Sequence, residues 1–183
     1  MLKLIASAVL ALSFLVTQYL WANTQPNVVR VAATSELFGL PFNNLKLTDL
    51  EEHLKSMGVE GYPSYQEEGV ESFSLGPEGI LGVTDLIVYS NDSGFIEKAL
   101  LSGVVESDSK RSALGELLFN KYGVPSVGSL TDNVGEVEWW LRDYTKIMLK
   151  NTTFDVSVMY VDERPRVINR SGRIDVESLS RNN

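Results

Sequence analysis

The chain has 183 residues, with 44% hydrophobic and 22% charged side chains, 14 Gly, 6 Pro and no Cys. These are the proportions of an ordinary globular domain, and they exclude wholesale disorder, collagen-like repeats and a polytopic membrane protein. The 16 Lys and Arg against 24 Asp and Glu give a net charge of −8, which opposes condensation onto a phosphate backbone, so nucleic acid is not an expected partner.

In chain order, the first feature is an uncharged apolar run, Leu4 to Val16, behind the single basic residue Lys3; the next basic residue is Arg30. This is the layout of a secretory signal peptide. The run is shorter than the ~20 residues that an upright spanning helix needs, and Tyr19 to Ala22 supply a cleavage region, with the cut placed after Ala22. The rival reading is an uncleaved anchor from Leu4 to Trp21, its Tyr19 and Trp21 at the membrane interface. On either reading the remainder leaves the cytoplasm, and a membrane is a partner only if the segment is retained. Removing residues 1–22, whose only charged side chain is Lys3, takes the net charge from −8 to −9. Without cysteine the chain has neither disulfides nor a lipidated N-terminal Cys, so a soluble protein of the bacterial periplasm or exterior is the simplest fit. Residues 23–35 read as a linker in which Asn27 to Ala33 could add a short edge strand.

Residues 36–162 read as one α+β domain. Thr48 stands three residues ahead of Glu51, and apolar residues recur at Leu50, Leu54 and Met57 before Gly58. This predicts a short amphipathic helix with a capping box in front and a glycine stop behind. Strands are expected at Glu71–Leu75, Val83–Ser90 and Phe95–Val105, the last two joined in a hairpin by the polar turn Asn91-Asp92-Ser93-Gly94. Asp108 or Ser109 then caps a second helix with apolar positions Leu114, Leu117, Leu118 and Tyr122, ended by Gly123 and Pro125. Further strands are expected at Glu136–Arg142, Thr145–Lys150 and Phe154–Asp162, the last with Phe154, Val156, Val158 and Tyr160 alternating in period two.

Both helices end in Gly-Val, at 58–59 and 123–124, and each precedes three predicted strands. The expected architecture is therefore two α-β-β-β units, residues 36–106 and 107–162, duplicated and closed into one domain with the helices packed on one face of an antiparallel sheet. Two unrelated halves sharing a common layout are the alternative. Residues 163–183 lose periodicity and become polar with scattered Arg, the composition of a flexible tail.

The inventory of reactive side chains is poor. His53 is the only histidine, so a Ser/His/Asp triad or a multi-histidine zinc site would have to be built around it alone. It lies at the border of the predicted helix's apolar stripe and reads as a helix-edge residue packed beside the sheet. Paired acids at Glu51 and Glu52, Glu67 and Glu68, or Glu136 and Glu138 could serve glycoside hydrolysis only across a cleft with one acid in an apolar pocket. Asn91-Asp92-Ser93-Gly94 lacks the ligand spacing of a calcium loop, and Gly76, Gly79 and Gly82 precede no helix that would make a phosphate site. No cofactor, metal or catalytic residue is expected.

What remains is recognition. In the strand Glu136–Arg142, Val137, Trp139 and Leu141 share one face and Trp140 lies on the other. Met148 and Met159 have the same outward parity in their strands. If the strands pair in sequence, Trp140, Met148 and Met159 form an apolar cluster on the face away from the helices, the candidate contact site for a protein partner. The bland alternative is that the tail or the first unit's sheet covers that face. The functional expectation is an exported, non-catalytic protein that binds another macromolecule in the envelope or exterior, its acidic surface steering it toward basic partners. The alternatives are a small carboxylate-dependent hydrolase acting on cell-wall or glycan material, and a membrane-tethered structural component of the envelope.

Overall fold

The computed structural model describes residues 34–62, 68–77, 79–105 and 107–165. The elements are β1 (Glu36–Leu37), β2 (Leu40–Pro41), α1 (Leu47–Ser56), β3 (Glu60–Tyr62), β4 (Val70–Ser74), β5 (Val83–Ser90) and β6 (Ile96–Val104), followed by α2 (Asp108–Tyr122), β7 (Val127–Thr131), β8 (Val134–Trp140), β9 (Thr145–Asn151) and β10 (Asp155–Asp162). β1 and β2 form a small hairpin, and the other eight strands form one antiparallel sheet in the order β3-β4-β5-β6-β10-β9-β8-β7. The protein is thus mixed α+β with mostly sheet. Each helix precedes four strands, not the expected three, and the last strand of each set, β6 and β10, pair at the centre. The expected signal peptide, most of the expected linker and residues 166–183 of the expected tail lie outside the described residues.

The two extra strands, β3 and β7, are the sheet's edges. Their side chains are almost all exposed, so neither carries the apolar alternation that marks a strand in sequence. The inner strands do carry it. Leu86 and Val88 of β5, Val137 and Trp139 of β8, Ile147 and Leu149 of β9, and Val156, Val158 and Tyr160 of β10 are buried, and they join Leu50, Leu54, Leu114, Leu118 and Tyr122 of the helices in one cluster. Trp139 makes an edge contact with Phe119 at 5.6 Å between ring centroids, and its indole N–H donates to the Gly123 carbonyl at 2.8 Å. The Tyr122 and Tyr160 hydroxyls lie 3.3 Å apart. Leu117, expected in the apolar stripe of α2, is 48% exposed instead, while Arg111 is buried and donates to the Val105 and Thr153 carbonyls at 3.1 and 2.6 Å.

The helix termini follow local chemistry with one substitution. α1 starts at Leu47 with Lys46 as its N-cap and no side-chain cap, so the Thr48–Glu51 capping box does not form. A β-bridge between Lys46 and Phe95, with Leu47 N–H donating to Gly94 O at 2.9 Å, occupies that end of the helix. At the other end Val59 N–H reaches Leu54 O and Gly58 N–H reaches Lys55 O, both at 3.0 Å, with Gly58 at φ 79°. These are the paired bonds of a Schellman stop. α2 is capped one residue earlier than expected, by Ser107, whose hydroxyl accepts from Lys110 N–H.

Three two-residue hairpin tips place both residues at positive φ: Phe38-Gly39 (51° and 84°), Leu81-Gly82 (51° and 91°) and Asp132-Asn133 (51° and 63°). Such turns match the twist of the flanking strands and favour Asn, Asp and Gly. A bulky apolar residue there costs about 1–2 kcal/mol of backbone energy. Ser35 precedes this frame and is buried; its N–H donates to an Asp143 carboxylate oxygen at 2.7 Å and its hydroxyl lies 2.7 Å from that of Thr145.

Candidate functional site

Alternation assigns every strand residue a face, and register then assembles the face opposite the buried cluster. Across the middle of that face run Ile87 of β5, Leu100 of β6, Met159 of β10 and Met148 of β9, each directly opposite the next. All four are half-buried. With strands about 4.8 Å apart, the row is roughly 14 Å long. Beyond Met148 it continues into Glu138.

Met148 and Met159 therefore meet as the sequence predicts. Trp140 does not sit between them; it is paired with Lys146 in the adjacent row, alongside Val161, Lys98 and Tyr89. Its ring is 49% exposed and fixed from two sides: the indole N–H donates to Glu138 Oε2 at 3.2 Å, and Lys146 Nζ stands 5.1 Å from the ring centroid. Ile87 and Leu100, absent from the sequence-derived set, complete the row. Their presence depends on the β6–β10 pairing.

The charged groups on this face are mostly matched. Lys150 Nζ meets Glu136 Oε1 at 2.6 Å, and that carboxylate raises the ammonium pKa above its ordinary value. Lys146 meets Glu163 at 2.8 Å, and Lys98 lies 3.6 Å over the Tyr89 ring. Asp85 accepts from Thr84 and Tyr62 at 2.6 and 3.2 Å; burial first, and Asp85 second, push the Tyr62 phenol up. Two open hollows mark the relief: one of about 210 Å³ bounded by Glu138, Met148, Ser157 and Met159, and one of about 410 Å³ bounded by Asp85, Ser102, Lys150 and Asp155.

The other candidates, Glu136 and Glu138 apart, separate from this face. His53 donates from Nε2 to Phe38 O at 2.9 Å, which ties α1 to the β1–β2 tip. Glu51 and Glu52 are exposed on α1 and Glu68 is exposed before β4; Glu67 lies outside the described residues. Glu136 and Glu138 share the open face, bound respectively to Lys150 and Trp140. Among the described residues no group of three or more His, Asp or Glu could hold a metal ion, and no helix is long and apolar enough to cross a membrane. No protein-family model, curated protein or solved structure matches the chain.

Proposed function

We propose that this is an exported, non-catalytic protein of the bacterial envelope or exterior that binds another protein through the open face of its sheet. The observation that carries the reading is the apolar row Ile87–Leu100–Met159–Met148, flanked by the half-exposed Trp140, on a face whose charged groups are already largely paired. Paired charges lower the penalty of covering them, while Met and Trp supply adaptable and rigid contact area respectively. Both helices then serve the opposite face, and the helix-plus-four-strand order repeated twice is read as a duplication that widens the sheet to eight strands. Residues 34–165 carry 10 basic and 22 acidic residues, a net −12 that steers basic partners toward the molecule.

The test is a photo-crosslinking amino acid placed at Met148, at Trp140 and, as a control on the helical side, at Glu52, in cells that make the protein. One discrete adduct from the first two positions and none from the third is expected, lost when Met159→Asp is added with the fold intact by circular dichroism. Equal adducts from all three positions, or an adduct that survives Met159→Asp, would overturn the assignment of the face.

A further inference from the structure

A further concavity lies on the buried side of the sheet. A cleft of about 270 Å³ opens between α2 and the two hairpin tips that carry Phe38 and Leu81, with Leu101, Val158 and Tyr160 beneath it. Its lips are Leu117 and Ile80, 48% and 49% exposed. One feature of the tips points to use. The β7–β8 tip, which does not line the cleft, carries Asp132-Asn133, the side chains its backbone favours. At the cleft two unrelated tips carry Phe and Leu in the same unfavourable conformation, which among the described residues only one other bulky side chain, Tyr144 away from the cleft, adopts, and strain retained at converging positions is a mark of a site. Both side chains stay half-buried against the core while lining the opening.

At the mouth, Lys121 Nζ and Glu36 Oε2 pair at 3.0 Å with both side chains still partly exposed. The pair sets a hydrogen-bond donor and an acceptor side by side. A carboxylate head could use Lys121, and an ammonium head Glu36, only by displacing the partner that each already holds at 3.0 Å; a hydroxyl-bearing uncharged head donates to Glu36 and accepts from Lys121 with the pair left intact. The volume falls just below the ~300 Å³ at which small-molecule sites begin, which suits one short chain and not a bulky ring system. We infer that this cleft binds a single aliphatic chain with an uncharged, hydrogen-bonding head, of the monoacylglycerol or fatty-alcohol class.

The probe is 1-monooctanoylglycerol, titrated below its micellar concentration into the full chain labelled at Leu and Met methyls. Saturable shifts are expected at Leu101, Leu114 and Leu117, with Met148 and Met159 unmoved. Leu117→Trp, which fills the mouth from a half-exposed position, and Ile80→Glu on the opposite lip each weaken binding about tenfold. Octanoate and octyltrimethylammonium bind at least about fivefold more weakly than the glycerol ester, and Glu36→Gln narrows that gap for octanoate. Shifts of equal size at the two methionines would mean detergent-like adsorption and would overturn the inference. So would an absence of shifts at the cleft leucines, unchanged affinity in whichever lip variant keeps its methyl spectrum folded, or octanoate binding as tightly as the ester.

Discussion

Replacing Trp139 by Ala tests the strand parity on which every assignment of a face depends. Trp139 is 1% exposed, packs edge-on to Phe119 at 5.6 Å and hydrogen-bonds Gly123 O at 2.8 Å. A buried indole removes some 150–250 Å² from water, worth about 4–6 kcal/mol at ~25 cal/mol per Å²; the retained Ala methyl and partial collapse of the void reduce this. Loss of the indole donor leaves the Gly123 carbonyl short of a partner and adds roughly 1 kcal/mol. The net expectation is about 4 kcal/mol, within the range for Trp→Ala in cores. For a domain of roughly 130 residues that lowers the melting midpoint by some 12–16 °C. Trp140→Ala is the matched control one residue away. At 49% exposure about half the buried area is at stake, roughly 2 kcal/mol by the same rule, and the exposed hydrogen bond and cation–π contact add under about 1 kcal/mol, so the loss stays below that of Trp139. Thermal and urea unfolding of the two variants followed by far-UV circular dichroism decides. A Trp139→Ala midpoint within a degree of the parent, or Trp140→Ala as the more damaging change, would show that the faces are reversed.

Three further outcomes follow from named contacts. Gly103→Ala puts a Cβ 2.0 Å from Gly82 O and 2.9 Å from Thr84 N, both backbone atoms that cannot turn aside, so destabilisation at the upper end of the ~1–3 kcal/mol seen for overpacking is expected in urea titrations. Arg111→Ala strips donors from the Val105 and Thr153 carbonyls and should cost about 2–4 kcal/mol, with hydrogen exchange accelerated first in residues 152–155. Burial, with Tyr122 beside it, raises the Tyr160 phenol well above its ordinary value. Below pH ~10 this group is neutral folded and unfolded and adds no pH dependence; above it the unfolded chain ionises first, so stability falls by up to about 1.4 kcal/mol per pH unit. Tyr160→Phe should flatten that alkaline limb in urea midpoints measured between pH 9 and 11, and an unchanged slope would reject the assignment.

How much of this was legible depended on whether a residue's state is decided by its neighbours in sequence. β5 spans Val83–Ser90, the bounds expected from the sequence, and the opposite fates of Trp139 and Trp140 follow from a period of two. The glycine stop after α1 is likewise local. The capping box is not: Thr48 and Glu51 have the right spacing, but the Lys46–Phe95 bridge and the Leu47–Gly94 bond move the N-cap two residues forward, from Thr48 to Lys46. β3 and β7 were illegible because an edge strand contributes backbone pairing with almost no burial, and burial is what writes a pattern into the sequence. The second half of the contact row was illegible for a different reason. Nothing near Leu100 states that Met159, 59 positions away, will lie opposite it; that follows from the central β6–β10 pairing alone.

The row's methionines and the neighbouring Trp140 differ in the work they would do on association. Met148 and Met159 keep several rotatable bonds and fit a partner by adjusting, at an entropic cost when they are ordered. Trp140 is already immobilised, its indole N–H on Glu138 and its face toward Lys146, so that cost is largely met in the free protein. A partner that covers the indole must leave the Glu138 bond intact or supply another acceptor, because a buried N–H without one forfeits much of the gain from burial. The arrangement therefore favours contact with the ring's exposed face and edge over insertion of the partner between Trp140 and Glu138. It also places the adaptable part of the surface at the centre of the sheet and the rigid part toward β8, so that on association the aromatic would set orientation and the methionines would complete the fit.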